Sequence, residues 1–399
     1  MRDRLPRRHS ARTLSFLAIA FVTVLQASAE AQTKVSPQLS AAIEQIETTT
    51  ATELAKDNLG SVTVGIISGR ELIWAKSFGM ADIEKKIPAT TDSIYRIGSI
   101  TKQFTALMLL QLVDAGRVHL TEPVEKYFPE IAKVQGRQAW YPSPTFIQLA
   151  TMTSGLDREP EDLATYVKGP VSEWEKILIS ALPHVKYLFE PDTHYYYSNI
   201  GYAILGAALG RVAHEPYVDY VKEHIFTPLG MAHTAFEPNP DILPRIASGY
   251  DVGRDGKVDA ETPAREHSGR GYKVPNGAIY TTVADLARFV SFEMGEGPDA
   301  VLNRRALADN FIRTNSSVQD LGLGYGIGFM VTRRGDFVYY GHGGSVAGYN
   351  AEADFDRGTK IGVVVLRNVN GGKFGIGSLS ERLLMTAVAA AKSKTSAHQ

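Results

Sequence analysis

Apolar and polar positions fall into three regimes along the chain. After Ser36 and Pro37, Leu39, Ile43, Ile46 and Leu54 recur at roughly helical spacing and predict one amphipathic helix. Val62-Thr63-Val64-Gly65-Ile66-Ile67 and the run Glu71 to Phe78 flank Ser68-Gly69-Arg70, which is the pattern of a β-hairpin. From Ser99 to Ala115 the chain is apolar on nearly every helical face (Phe104, Leu107, Met108, Leu109, Leu110, Leu112, Val113), so this helix is expected to be buried, with Gly116 at its stop. Residues from about 120 to 310 carry mostly helical signals between Pro-rich loops. Among them are a capping box at Thr145-Phe146-Ile147-Gln148, an apolar helical stretch from Ala203 to Val212, and Thr282 as cap of a helix from Val283 to Glu293. The polar stretch from Asp251 to Tyr272 reads as a long loop. Strand patterns return at Phe337-Val338-Tyr339-Tyr340, Tyr349 to Phe355 and Ile361 to Leu366, with a turn at Asp356-Arg357-Gly358-Thr359 and a closing helix from about Leu379 to Lys392.

Strands at both chain ends with helices between them imply one sheet built from both termini. The expected fold is therefore α/β of the α+β type, an antiparallel sheet flanked by the N- and C-terminal helices and carrying an inserted, mainly helical lobe. Its body would take residues of about 36–98 and 320–392 and its lobe about 99–319, within one catalytic unit over 32–395, and 393–399 would form a disordered tail.

Composition changes this picture mainly at the N-terminus. Arg2, Arg4, Arg7, Arg8 and Arg12 precede an apolar run from Leu14 to Leu25, followed by Ala27-Ser28-Ala29 and Ala29-Glu30-Ala31, so residues 1–31 read as a secretory signal peptide with two cleavage points. The run is shorter than the ~20 residues a membrane span needs. A periplasmic or secreted bacterial protein without stable membrane insertion is expected. The chain has 42 Lys plus Arg against 43 Asp plus Glu, and no strong field to draw it to nucleic acid. With no cysteine, a thiol nucleophile, a disulfide and a Cys-ligated metal are excluded. The ten histidines show no H-E-x-x-H pattern, and neither metal nor cofactor is expected.

Three separated elements carry chemistry. Ser99-Ile100-Thr101-Lys102 places a hydroxyl and an amine three residues apart at a helix start, on one face. A serine hydroxyl is a weak nucleophile until a base takes its proton, and a lysine serves when burial or a nearby cation favours its neutral form. The plainer reading is a capping serine with a solvated lysine. Tyr197-Ser198-Asn199 follows a Tyr-rich loop; its phenol can relay protons and its Asn199 amide can bond a substrate's acyl side chain, while the plainer reading is a helix cap. Gly341-His342-Gly343-Gly344-Ser345 ends a strand-like run, where glycines would let a substrate backbone lie along a strand edge and the Ser345 N–H could join that of Ser99 as an oxyanion hole. A glycine-rich hairpin with a solvent-facing His342 is the alternative. Gly343-Gly344-Ser345-Val346-Ala347 lacks the last glycine of a nucleophile elbow, and Gly322 to Gly328 has the wrong spacing for a dinucleotide loop and reads as an edge strand.

In order and spacing, these elements together resemble the serine β-lactamase and penicillin-binding-protein superfamily, in particular its branch of class C β-lactamases, D-alanyl-D-alanine carboxypeptidases and related esterases. The resemblance spans about 38–391 and takes in Leu149 to Leu156, Tyr197 to Tyr202, Asn276 to Thr282 and Asp285-Leu286-Ala287-Arg288-Phe289. It implies Ser99 as the acylated nucleophile, Lys102 and Tyr197 as the acid/base pair, Asn199 as a substrate-binding side chain, and His342-Gly343-Gly344 at the third motif. The β-lactamases carry Lys-Thr-Gly there, where ammonium and hydroxyl help to hold a carboxylate. With His and Gly in their place, ester or peptide hydrolysis, of the D-Ala-D-Ala carboxypeptidase or D-aminopeptidase kind, ranks above efficient lactam turnover. A true β-lactamase and a non-catalytic, penicillin-binding sensor remain the alternatives.

Overall fold

The computed structural model describes residues 36–303, 305–307 and 323–396; the expected signal peptide lies outside them. Helix α1, Pro37–Ala55, leads into strands β1, Ser61–Ser68, β2, Glu71–Asp82, and β3, Ile87–Pro88. After the central helices come β4, Leu323–Tyr325, β5, Met330–Arg334, β6, Phe337–Val346, β7, Tyr349–Asp356, and β8, Ile361–Arg367. They form one eight-stranded sheet in the order β3-β2-β1-β8-β7-β6-β5-β4, so the two chain ends meet where β1 pairs antiparallel with β8 (Val64 opposite Val365). The closing helix runs over Ile376–Ser396, four residues into the segment expected as a tail.

Every residue of β8 is buried, because the sheet is covered on both faces. The closing helix and α1 pack on one face, where Ser380 donates to the Asp354 carboxylate at 2.6 Å. The helix Val283–Ser291 covers the other. It was expected in the lobe, yet it belongs to the sheet. The reason lies in two glycines: a β-carbon on Gly65 would come 2.7 Å from a Val283 methyl, and one on Gly362 would come 2.6 Å from a Val290 methyl, so the bare floor of β1 and β8 admits the helix.

The apolar run after Ser99 forms the buried helix α2, Thr101–Asp114, ended by Gly116 at φ +67°, with the Arg117 N–H returning to Leu112 O at 2.9 Å. Phe104 of α2 stacks on Phe289 with ring centroids 3.9 Å apart, which ties this helix to the one lying on the sheet. Helix α3, Asn199–Ala213, packs against α2. The stretch 251–272 is more ordered than a loop: Tyr250–Val252 pairs with Val258–Asp259 and, in parallel, with Val369–Asn370, and a short helix follows at Glu261–Arg265.

Candidate active site

Ser99 lies in a 3₁₀ turn, Gly98–Ile100, directly before α2. Residues three apart eclipse one another in such a turn, so the Lys102 side chain runs back beneath Ser99, with Nζ 3.1 Å from Oγ. Ser99 is partly exposed, whereas Lys102 has no exposed surface. The amine also donates to the Asn276 carbonyl at 3.0 Å. Burial, then the Lys273 ammonium with Arg158 and Arg270, holds the Lys102 amine well below its ordinary range, with Glu159 working against them. The solvated lysine of the plainer reading is not what the fold contains.

Tyr197 and Ser198 divide the second motif's two readings between them. The Ser198 hydroxyl accepts from Gly201 N–H at 2.9 Å and caps α3, which leaves the preceding side chain to point at the nucleophile. The Tyr197 phenol is hydrogen-bonded to Ser99, and burial raises its pKa against that bond. Lys102 Nζ and Arg158 Cζ each lie 4.9 Å from the centre of its ring.

Asn199 is anchored from both ends. Its Nδ2 donates to Glu159 Oε1 at 2.7 Å, its carbonyl accepts from Asn276 Nδ2 at 2.9 Å, and its buried Oδ1 has no hydrogen-bond partner among the described residues. Glu159 also accepts from Lys273 at 2.8 Å and from the Tyr272 hydroxyl. Burial works to raise this carboxyl, but the Lys273 charge and these donors prevail and hold it below its usual range.

The third motif departs from the expected geometry. His342, Gly343, Gly344 and Ser345 all lie inside β6, and the turn comes later, at Ala347-Gly348. His342 is 2% exposed, not solvent-facing. Its Nδ1 donates to the Gly343 carbonyl at 2.5 Å, which leaves Nε2 to accept from the Tyr325 hydroxyl at 3.0 Å. Burial, then the Lys102 charge, pushes its pKa down to about 3, so the imidazole is neutral at ordinary pH. The expected substrate groove along the glycines meets a steric fact: a β-carbon on Gly344 would overlap the Ile97 carbonyl and lie 3.1 Å from Ser99 N, and one on Gly98 would lie 2.9 Å from Ser345 N. These glycines let β6 close against the Ser99 turn, which brings the two expected oxyanion-hole backbones together.

Sequence reasoning missed Arg158, Glu159, Lys273 and the role of Tyr325. Asn276 stood at the head of a stretch carried by the resemblance, but without a role. Tyr325 sat in the glycine-rich stretch read as an edge strand, and β4 is indeed the sheet's edge. Nothing local singles out Glu159, whose partners are 40 residues and more than 110 residues away.

The Beta-lactamase family model matches residues 46–382. The chain is 30% identical over 334 residues to Beta-lactamase-like protein 2 of Dictyostelium discoideum, an alignment that covers 82% of this chain and 59% of that relative. It spans 63% of the Staphylococcus aureus relative called Protein flp, at 24% identity. Among solved structures, a D-stereospecific amidohydrolase from a Streptomyces species superposes with a TM-score of 0.65 at 25% identity, covering 81% of this chain and 93% of that one. A D-alanine carboxypeptidase from Burkholderia cenocepacia superposes with a TM-score of 0.70 at 21% identity over 87% and 99% of the two chains, a likeness of fold alone.

Proposed function

Because the chain belongs to the Beta-lactamase family, we propose that it is an exported serine hydrolase that forms an acyl-enzyme on Ser99 and cleaves ester or amide bonds. The observation that carries this reading is the contact between Ser99 Oγ and the fully buried Lys102 amine. A neutral amine that gives one N–H to the Asn276 carbonyl keeps its lone pair for the Ser99 proton. Oγ then attacks the substrate carbonyl, and the oxyanion is met by the N–H groups of Ser99 and Ser345. As the carbonyl re-forms, the bond to the leaving group breaks. Tyr197 hands that group a proton and is reprotonated from Lys102. Water then attacks the Ser99 ester, releases the acid and restores the hydroxyl.

Ester or amide substrates, including peptides of the D-Ala-D-Ala kind, rank above efficient β-lactam turnover. Supporting this, His342 is neutral and both its ring nitrogens are engaged, so it supplies no cation where Lys-Thr-Gly would. Location in the periplasm or outside the cell rests on the basic and apolar pattern of residues 1–31.

The test is labelling with an active-site-directed phosphonate and a fluorescent penicillin, followed by turnover of p-nitrophenyl esters, D-Ala-D-Ala peptides, D-amino-acid amides and nitrocefin. Labelling on Ser99, lost in Ser99→Ala, with steady turnover of an ester or amide is expected. Unchanged intact mass with every probe would overturn the reading. A stoichiometric burst without turnover would favour the sensor, and nitrocefin turnover matching a dedicated β-lactamase would reverse the ranking.

A further inference from the structure

The charged groups around Ser99 do not balance. Lys273 is matched by Glu159 at 2.8 Å, and Glu266 is shared by Arg96, at 3.2 Å, and Arg270. Arg158 has no ion pair or side-chain hydrogen bond among the described residues. The carboxylate of Asp157, its neighbour, accepts from the Arg158 backbone N–H at 2.6 Å and makes no ion pair with the guanidinium among the described residues. Of the charges bearing most strongly on the Lys102 amine, three are cations, Lys273, Arg158 and Arg270, and one is an anion, Glu159.

Arg158 is nevertheless held in place. Its carbonyl accepts from the N–H groups of Asn199 and Ile200, at 3.0 and 3.2 Å, which fixes its backbone to the first turn of α3. Its guanidinium lies over the ring of Tyr197, the same ring that Lys102 approaches, and it is exposed to solvent. A guanidinium aligned on an aromatic face loses little further freedom when it binds a carboxylate with two parallel N–H groups.

We propose that Arg158 is a specificity-determining residue that binds a carboxylate on the departing portion of the substrate. This rests on the serine-hydrolase reading above. The leaving-group side follows from Tyr197: the phenol that serves the departing group is the one Arg158 covers, whereas the Ser345 backbone lies across Ser99 on β6. The anion anchor lost from the third motif is thereby supplied from the facing wall, by the segment that follows the short helix Phe146–Ala150 and is bonded to the first turn of α3. The anchored group takes no part in bond making; it positions the departing acid or amine.

The test compares a 3-(acyloxy)benzoate with its methyl ester, two substrates with the same acyl group that differ in one carboxylate. Wild-type protein is expected to favour the carboxylate by at least tenfold in kcat/KM, a preference that weakens as salt is raised. Arg158→Gln should cut the ratio between the two substrates by at least tenfold, and Arg158→Lys should restore part of it. Because the readout is a ratio, damage to folding or to Tyr197 common to both substrates cancels. A wild-type ratio near one, or a ratio unchanged in Arg158→Gln, overturns the proposal while leaving the hydrolase reading standing. Absence of turnover on both esters, together with no labelling of Ser99, would fail the hydrolase reading itself.

Discussion

Gly344 lies so close to Ile97 that a β-carbon on the glycine would overlap the Ile97 carbonyl oxygen, which puts the strand of the third motif in backbone contact with the turn that carries Ser99. Gly344→Ala must therefore push β6 away from Ser99 N. Overpacking of this kind costs about 1–3 kcal/mol, and it separates the two N–H groups assigned to the oxyanion. The expected outcome is a lower urea midpoint and labelling of Ser99 slowed at least tenfold. Labelling at the wild-type rate would show that the close approach is not needed.

Lys102 must be neutral to act as a base, so the acid limb of kcat/KM follows its deprotonation. Burial comes first among the causes that lower its pKa, and the Lys273 charge second. Removing that cation in Lys273→Met raises the Lys102 pKa, and the unpaired Glu159 carboxylate raises it further. The acid limb should thus move to higher pH. A profile that stays in place or moves to lower pH would separate the limb from Lys102.

His342 ties stability to pH with a definite sign. In the unfolded chain a histidine protonates near its ordinary value of 6.5, whereas in the fold His342 stays neutral down to about 3. Between these values the unfolded state binds more protons, so stability falls as pH falls through this window and is insensitive to this group above it. His267, held down to about 4 mainly by burial, acts in the same direction, and the comparison must isolate His342. The urea midpoint of His342→Gln should fall less than that of the wild type between pH 7 and pH 4. Parallel falls would remove His342 as the source.

Glu159 gathers Asn199, Tyr272 and Lys273 with side-chain exposures of 19% for Glu159 and 12% for Lys273. Glu159→Gln leaves Lys273 largely buried without its counter-charge, and removing one partner of such a pair costs about 3 kcal/mol. Chemical denaturation should detect that loss, and Glu159→Gln/Lys273→Met should recover part of it. A double variant no more stable than the single one would mean that the pair's charge is not what holds the Glu159 segment against α3.

The elements that periodicity alone marks were legible in the chain. The hairpin of β1 and β2, the buried helix after Ser99 and the strands β7 and β8 are each specified by which neighbouring positions are apolar, a local property of a few consecutive residues. The helix Val283–Ser291 was also legible as a helix. Its place was not, since it depends on the missing side chains of Gly65 and Gly362, far away in the chain.

The same division runs through the site around Ser99. A spacing of three residues determined by itself that the Lys102 side chain could reach the Ser99 hydroxyl, because the intervening chain has the geometry of a single turn. That the amine is driven toward neutrality was decided by tertiary structure, through burial and through Lys273, Arg158 and Arg270, groups 56 to 171 residues removed along the chain. Sequence names which groups can meet across one turn. Desolvation and long-range charge, which set the chemistry of that meeting, exist only once distant segments have packed around it.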